Sequence, residues 1–208
     1  MEQFSLISGI VSVILLTIAL IIVTIKYNIL TQNEKWYSYY IIFIFFIEFM
    51  SYIGFPLLKI TSNAFFYPVY IAGEFFIVTG IFIKKLNLWK NTFIFTGLLS
   101  VLFLTADRIL ENYQYNNDYS KAISNIIIVS LIGYSLIQDI KNVKSKSRFQ
   151  LIDKMFFLYF IVSIFIFMLQ HQLVELPLEY FSAVWVINNL MVCILYALLI
   201  KTLLQLKK

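Results

Sequence analysis

The chain has 208 residues, of which 61% are hydrophobic, 18% aromatic and only 13% charged, and its mean hydropathy of +0.86 lies far outside the balance of soluble domains. A water-soluble fold of this length would leave much of that apolar surface facing solvent, so the composition excludes a soluble globular enzyme and makes lipid the expected solvent. The net charge of +5 does not point to nucleic acid, because the cations fall between apolar segments instead of clustering on one polar face.

Seven apolar segments, at 4–25, 37–57, 64–83, 89–106, 120–138, 153–173 and 180–200, are each long enough to cross a bilayer as a helix. They predict an all-α polytopic membrane protein, a seven-transmembrane-helix bundle forming a single domain over 1–208. Only Met1–Gln3 precede the first segment and no basic residue is among them, so it reads as a retained helix and not as a cleaved signal peptide. The second and third segments flank a short loop, Leu58–Asn63, and are expected to be antiparallel neighbours. The fourth is diluted by Gly97, Ser100 and Thr105, and the fifth by Asn125, Ser130, Gly133 and Ser135. Asp139–Lys154, the longest polar stretch, is too short for a soluble domain. No internal repeat is evident, since Pro56 near the end of the second segment has no counterpart in the sixth. Trp36, Tyr37, Tyr39, Tyr40, Trp89, Tyr180 and Trp185, at segment starts, fit interfacial aromatic belts.

Lysine and arginine concentrate in cytoplasmic loops, so their distribution supplies orientation. With the amino terminus outside, thirteen fall in inner segments, and three, Lys59, Arg108 and Lys121, fall in outer ones. The alternation predicts seven spans with the amino terminus outside and the carboxyl terminus in the cytoplasm, in a bacterial inner membrane.

Metal and nucleotide chemistry find no support. One cysteine, Cys193, and one histidine, His171, cannot build a disulfide framework or a multi-histidine metal centre. No glycine-rich phosphate loop occurs among six glycines. No metal and no cofactor is therefore expected.

The informative positions are polar residues inside the apolar segments. Glu48 and Glu74 sit near the middle of the second and third, where an ionised carboxylate costs roughly 2.5–3.5 kcal/mol even on the lenient insertion scale. Helical spacing puts Ser51 and Tyr52 beside Glu48, and Tyr67 and Tyr70 beside Glu74. If the two carboxyls approach closely, repulsion and desolvation hold at least one protonated. The pair reads either as a proton, cation or ligand site or as hydrogen-bond glue between helices. In the last segment Trp185, Asn188, Asn189, Val192 and Tyr196 share a face. Tyr159, Ser163 and Gln170 share a face of the sixth, with His171 at its outer end and Asn125 at similar depth in the fifth. Together they predict a polar pocket opening outward, with Glu48, Tyr70, Glu74, Trp185, Asn188 and Asn189 as ligand- or proton-binding residues. The basic loop carrying Lys141, Lys144, Lys146 and Arg148 is expected to bind anionic lipid or to dock a cytoplasmic or membrane protein partner.

The Tyr70-x3-Glu74 spacing and the Trp185-x2-Asn188 start of the last segment, followed by Tyr196, resemble small heptahelical inner-membrane proteins of Bacteroidota-type bacteria, a group without a settled activity. The resemblance implies location and not chemistry. Fourteen lysines to two arginines, with abundant Ile, Phe, Asn and Tyr, fit an AT-rich bacterial genome. The leading expectation is a non-enzymatic membrane protein, a sensory or accessory subunit that binds a small molecule, lipid or ion and acts through a partner. A small transporter or channel with Glu48 and Glu74 as protonatable groups is the second. A lipid-acting intramembrane hydrolase or transferase, with one carboxyl as acid and the other as base, is the third.

Overall fold

A computed structural model describes residues 2–54, 57, 66–109, 116–141, 147–169, 172–173 and 177–206. Among these the chain is all-α, with seven helices: α1 (Glu2–Lys26), α2 (Lys35–Phe49), α3 (Tyr67–Lys85), α4 (Lys90–Ile109), α5 (Asn117–Lys141), α6 (Gln150–Met168) and α7 (Leu178–Leu204). Six of them are long and apolar enough to cross a membrane, and the apolar part of α4, Lys90–Ala106, is shorter. Each predicted segment holds one helix. The largest departures are at the ends: α2 stops at Phe49, eight residues before the expected 57, α6 stops at Met168, five before the expected 173, and α7 runs to Leu204, four beyond the expected 200.

Local chemistry sets the boundaries. Thr31 and Glu34 bond reciprocally ahead of α2, the Thr31 amide to Glu34 Oε2 at 2.9 Å and the Glu34 amide to Thr31 Oγ1 at 3.4 Å. That exchange satisfies two donors that the helix start leaves over. Arg148, from the α5–α6 connection, clamps the same Glu34 carboxylate through Nε at 3.1 Å and Nη2 at 2.9 Å. At its far end α2 continues as one π-helical turn, Met50–Gly54. Pro68 sits in the first turn of α3, where its missing N–H costs nothing. α3 ends in a Schellman turn, in which the Leu88 amide reaches Ile83 O at 3.1 Å and the Asn87 amide reaches Lys84 O at 3.3 Å. Asn87 takes the left-handed position at φ 50°, a conformation asparagine tolerates better than most residues.

The helices run up and down. Lys26 Nζ, at the end of α1, donates to Leu206 O beyond α7, and Lys85, at the end of α3, joins the end of α5 to the start of α6. At the opposite pole Asn189 of α7 meets Ser8 of α1, and Tyr67 of α3 meets Asp118 of α5. We call this pole the amino-terminal end and the other the basic end. Around the bundle α1 packs on α2, α2 on α3, α3 on α5, α5 on α6, α6 on α7 and α7 on α1, while α4 lies outside, mainly against α3. The most buried helix is α3. Gly73 and Gly80 let it approach α2 closely, because a Cβ at either would run into the ring of Phe43 or Trp36. Trp36, expected in an interfacial belt, is therefore a packing residue, with ring contacts to Tyr39, Phe76 and Phe93.

Side chains on the outside are what lipid would favour. In α1, Ile10, Ile14, Ile18, Ile21 and Ile25 are exposed while Leu16, Ala19 and Val23 are buried. The chain is a transmembrane protein by these criteria.

Candidate functional site

At the amino-terminal end the bundle forms an open cavity of about 2000 Å³ lined by α1, α2, α3, α6, α7 and the first residues of α5. Glu48, Tyr70, Glu74, Trp185, Asn188 and Asn189 all line it, as do Val192 and Tyr196 from the predicted α7 stripe. Most of its wall is apolar or aromatic. The π turn contributes directly, since Ser51, Tyr52 and Ile53 all border the cavity.

Glu74 is not held by Glu48 but by a lysine. Its carboxylate pairs with Lys121 of α5, and the two side chains are 1% and 0% exposed. Tyr70 completes the group: its hydroxyl donates to Glu74 Oε1 at 3.1 Å and accepts from Lys121 Nζ at 3.1 Å. The ammonium also lies 4.3 Å from the Tyr70 ring centroid, with Phe167 at 5.9 Å and Phe160 at 6.0 Å. An ammonium removed from water is thus held by one carboxylate and three aromatic faces. Lys121 was expected as an outer-loop charge. It lies instead one turn inside α5, because that helix begins at Asn117, and it shares a buried face with Asn125, Ile128, Ile132 and Ser135.

Glu48 differs. It is half-buried on α2, lines the cavity, and among the described residues makes no hydrogen bond or ion pair. Asp118, also on the wall, accepts the Tyr67 hydroxyl at 3.2 Å.

The two α7 asparagines also differ from each other. Asn189 Nδ2 donates to Ser8 Oγ at 3.1 Å, so this amide fastens α7 to α1, with Cys193 beside it facing the Ser8 carbonyl. Asn188 borders the cavity without such a tie. Asn125 and Ser163, expected around the pocket, are fully buried and bonded to each other, Nδ2 to Oγ at 2.9 Å, which joins α5 to α6 away from the cavity wall. Tyr159 does line the cavity. Gln170 and His171 lie outside the described residues.

A second polar cluster, which the sequence did not reveal, occupies the basic end. Lys85 Nζ bridges Asp139 Oδ2 at 2.6 Å and Asp153 Oδ2 at 2.7 Å, and Tyr37 donates its hydroxyl to Asp153. Asp153 is fully buried. Tyr37 therefore belongs to the core and not to an aromatic belt; its ring stacks on Phe149 with centroids 4.4 Å apart. Glu74 and Lys85 are eleven residues apart on α3, close to three full turns, so one face of one helix carries a charge to each cluster. That spacing was the available signal. In the basic loop, Lys141 is exposed, Arg148 is paired with Glu34, and Lys144 and Lys146 lie outside the described residues.

Among the described residues no group of three or more His, Cys, Asp or Glu is placed to hold a metal ion. No protein-family model matches the chain, and no curated protein or solved structure matches it.

Proposed function

We propose that this chain is a seven-span inner-membrane protein, amino terminus outside and carboxyl terminus in the cytoplasm, that binds a small amphiphile or lipid in its outer cavity. It acts as a sensory or accessory subunit through a partner protein. The observation that carries this reading is the cavity. Its volume of about 2000 Å³ and a wall that is mostly apolar surface but also carries carboxyl, amide and hydroxyl groups are what a ligand with an apolar body and a polar head requires.

Orientation is supported by charge. Lys26, Lys35, Lys84, Lys85, Lys90, Lys141, Arg148, Lys154 and Lys201 gather at the basic end, and with Lys121 withdrawn into the core the contrast with the other end is sharper than sequence counting gave. The resemblance to small heptahelical proteins of Bacteroidota-type bacteria agrees with this location. α3 is the element that relates the cavity to the cytoplasmic end, since its Glu74 borders the ligand space and its Lys85 ties α5 to α6 beside the basic loop. That loop, with Lys141, Lys144, Lys146 and Arg148, is the proposed partner surface. Transport or acid–base chemistry with Glu48 and Glu74 is less well supported, because Lys121 already engages Glu74.

The test uses Trp185, which lines the cavity, whereas Trp36 and Trp89 do not. A single-chain amphiphile brominated along its acyl chain, titrated into the purified protein in maltoside micelles, should quench tryptophan emission with a saturable component. Trp185→Phe should remove that component. Quenching that rises linearly, or that is the same in the variant, would rule out occupancy of the cavity.

A further inference from the structure

We infer that the ligand of the outer cavity is a lipophilic ammonium ion, an apolar chain ending in a substituted amine, with the Glu48 carboxylate as its counter-ion. The inference rests on the cavity-binding reading and specifies its chemistry.

The argument begins with the charges on the wall. Among the described residues that line the cavity, three are acidic, Glu48, Glu74 and Asp118, and none is lysine, arginine or histidine. Glu74 is neutralised from behind by Lys121, and Asp118 accepts the Tyr67 hydroxyl. Glu48 has no such partner. A carboxylate within a membrane span is costly to retain unless something compensates it, and nothing else in the described bundle does so. Glu48 lines the cavity, so a cation bound there would compensate it. An anionic head there would meet a wall whose charged side chains among the described residues are all of its own sign, with only Glu74 paired to a cation, which disfavours fatty-acid and phosphate amphiphiles on Coulombic grounds.

Two observations select an organic cation over a metal ion. One carboxylate cannot provide the six to eight oxygen ligands that calcium takes, and the space is far larger than an ion needs. The tyrosine rings that line the cavity with Glu48 suit an alkylated ammonium, whose diffuse charge is attracted to aromatic faces and is cheaper to desolvate than a metal ion. Tyr40, Tyr52, Tyr159 and Tyr196 line the same cavity as Glu48. The protein already holds one ammonium in this manner, since Lys121 sits against Glu74 and the rings of Tyr70, Phe160 and Phe167. Glu48 and the tyrosines of the cavity supply the same two kinds of group, a carboxylate and aromatic faces. Asn117 adds a buried side-chain oxygen on the cavity wall that has no hydrogen-bond donor, suited to a primary or secondary amine.

The experiment is a competition against the brominated probe, with three compounds of the same tetradecyl chain: the trimethylammonium, the alcohol and the carboxylate. In the unaltered protein the trimethylammonium should displace the probe at concentrations at least about tenfold below the other two, the ratio that about 1.4 kcal/mol of head-group preference produces. Glu48→Gln should remove that advantage while leaving the potency of the alcohol unchanged, which also reports that the variant is folded. Glu48→Asp should keep most of it. Equal potency of the three heads in the unaltered protein, or an equal loss for all three in Glu48→Gln, overturns the ammonium assignment and leaves cavity binding standing. Absence of any saturable Trp185-dependent quenching overturns both.

Discussion

Lys121 shows how far one side chain can depart from what its position suggests. A lysine four residues into a helix after a polar stretch looks like a loop charge, yet it is fully buried against Glu74 and Tyr70. Removing one member of such a pair leaves the other charge in an apolar interior, at a cost of about 3–5 kcal/mol. Lys121→Met should therefore destabilise the protein by about that much in thermal or denaturant unfolding in micelles. The double variant Glu74→Leu/Lys121→Met should recover most of the loss, because no charge remains to desolvate. A Lys121→Met protein as stable as the parent would return Lys121 to an aqueous segment and dismantle the inner wall of the site. At the same scale, Glu48 and Glu74 looked equivalent in the sequence, both mid-segment acids one turn from tyrosines. What separates them is a cation supplied by a helix more than forty residues away in sequence, and pairing at that distance leaves no periodic trace.

At the scale of elements, the α2–α3 contact is set by a match of sevens. Trp36 and Phe43 on α2 are seven residues apart, as are Gly80 and Gly73 on α3, and in the antiparallel pair each ring lies over one glycine. Small residues that allow close approach are a principal means of packing helices in lipid, where burial from water contributes nothing between apolar faces. Gly73→Ala and Gly80→Ala should each cost about 1–3 kcal/mol by overpacking. Gly9→Ala, whose Cβ would meet only Asn189 Nδ2 at 3.9 Å, should be close to neutral and serves as control. Unfolding midpoints of the three variants decide the matter, and equal midpoints would mean that α2 and α3 are not in register. The existence of each helix was legible in the sequence, because a run of apolar residues of bilayer length leaves the backbone few alternatives. The π turn at Met50–Gly54 was not, since the extra residue it admits shows neither in composition nor in hydropathy.

For the whole molecule, the testable property is parity. Seven spans put the two termini on opposite sides of the membrane, and six would put them on the same side. In a Cys193→Ala background, a cysteine at Gln3 should react with a membrane-impermeant maleimide in intact cells, and one at Gln205 only after permeabilisation. Labelling of both from the same side would remove α4, whose apolar part is the shortest of the seven, from the membrane and reverse the assignment of the basic end. The sequence by itself determined what is additive along the chain: the solvent, the number and approximate limits of the helices, and the asymmetry of their charges, because each residue contributes to hydropathy and loop charge independently of the others. It also nominated Glu48, Tyr70, Glu74, Trp185, Asn188 and Asn189, since a polar residue in a lipid-length helix is costly wherever the other helices lie. Only the tertiary structure decided which of these costs are already met. Lys121 meets Glu74, Ser8 occupies the amide of Asn189, Ser163 that of Asn125, and Asp139 and Asp153 share Lys85. Compensation is a property of pairs, and in a helical bundle the partners are chosen by the order in which helices neighbour one another, which no single helix encodes.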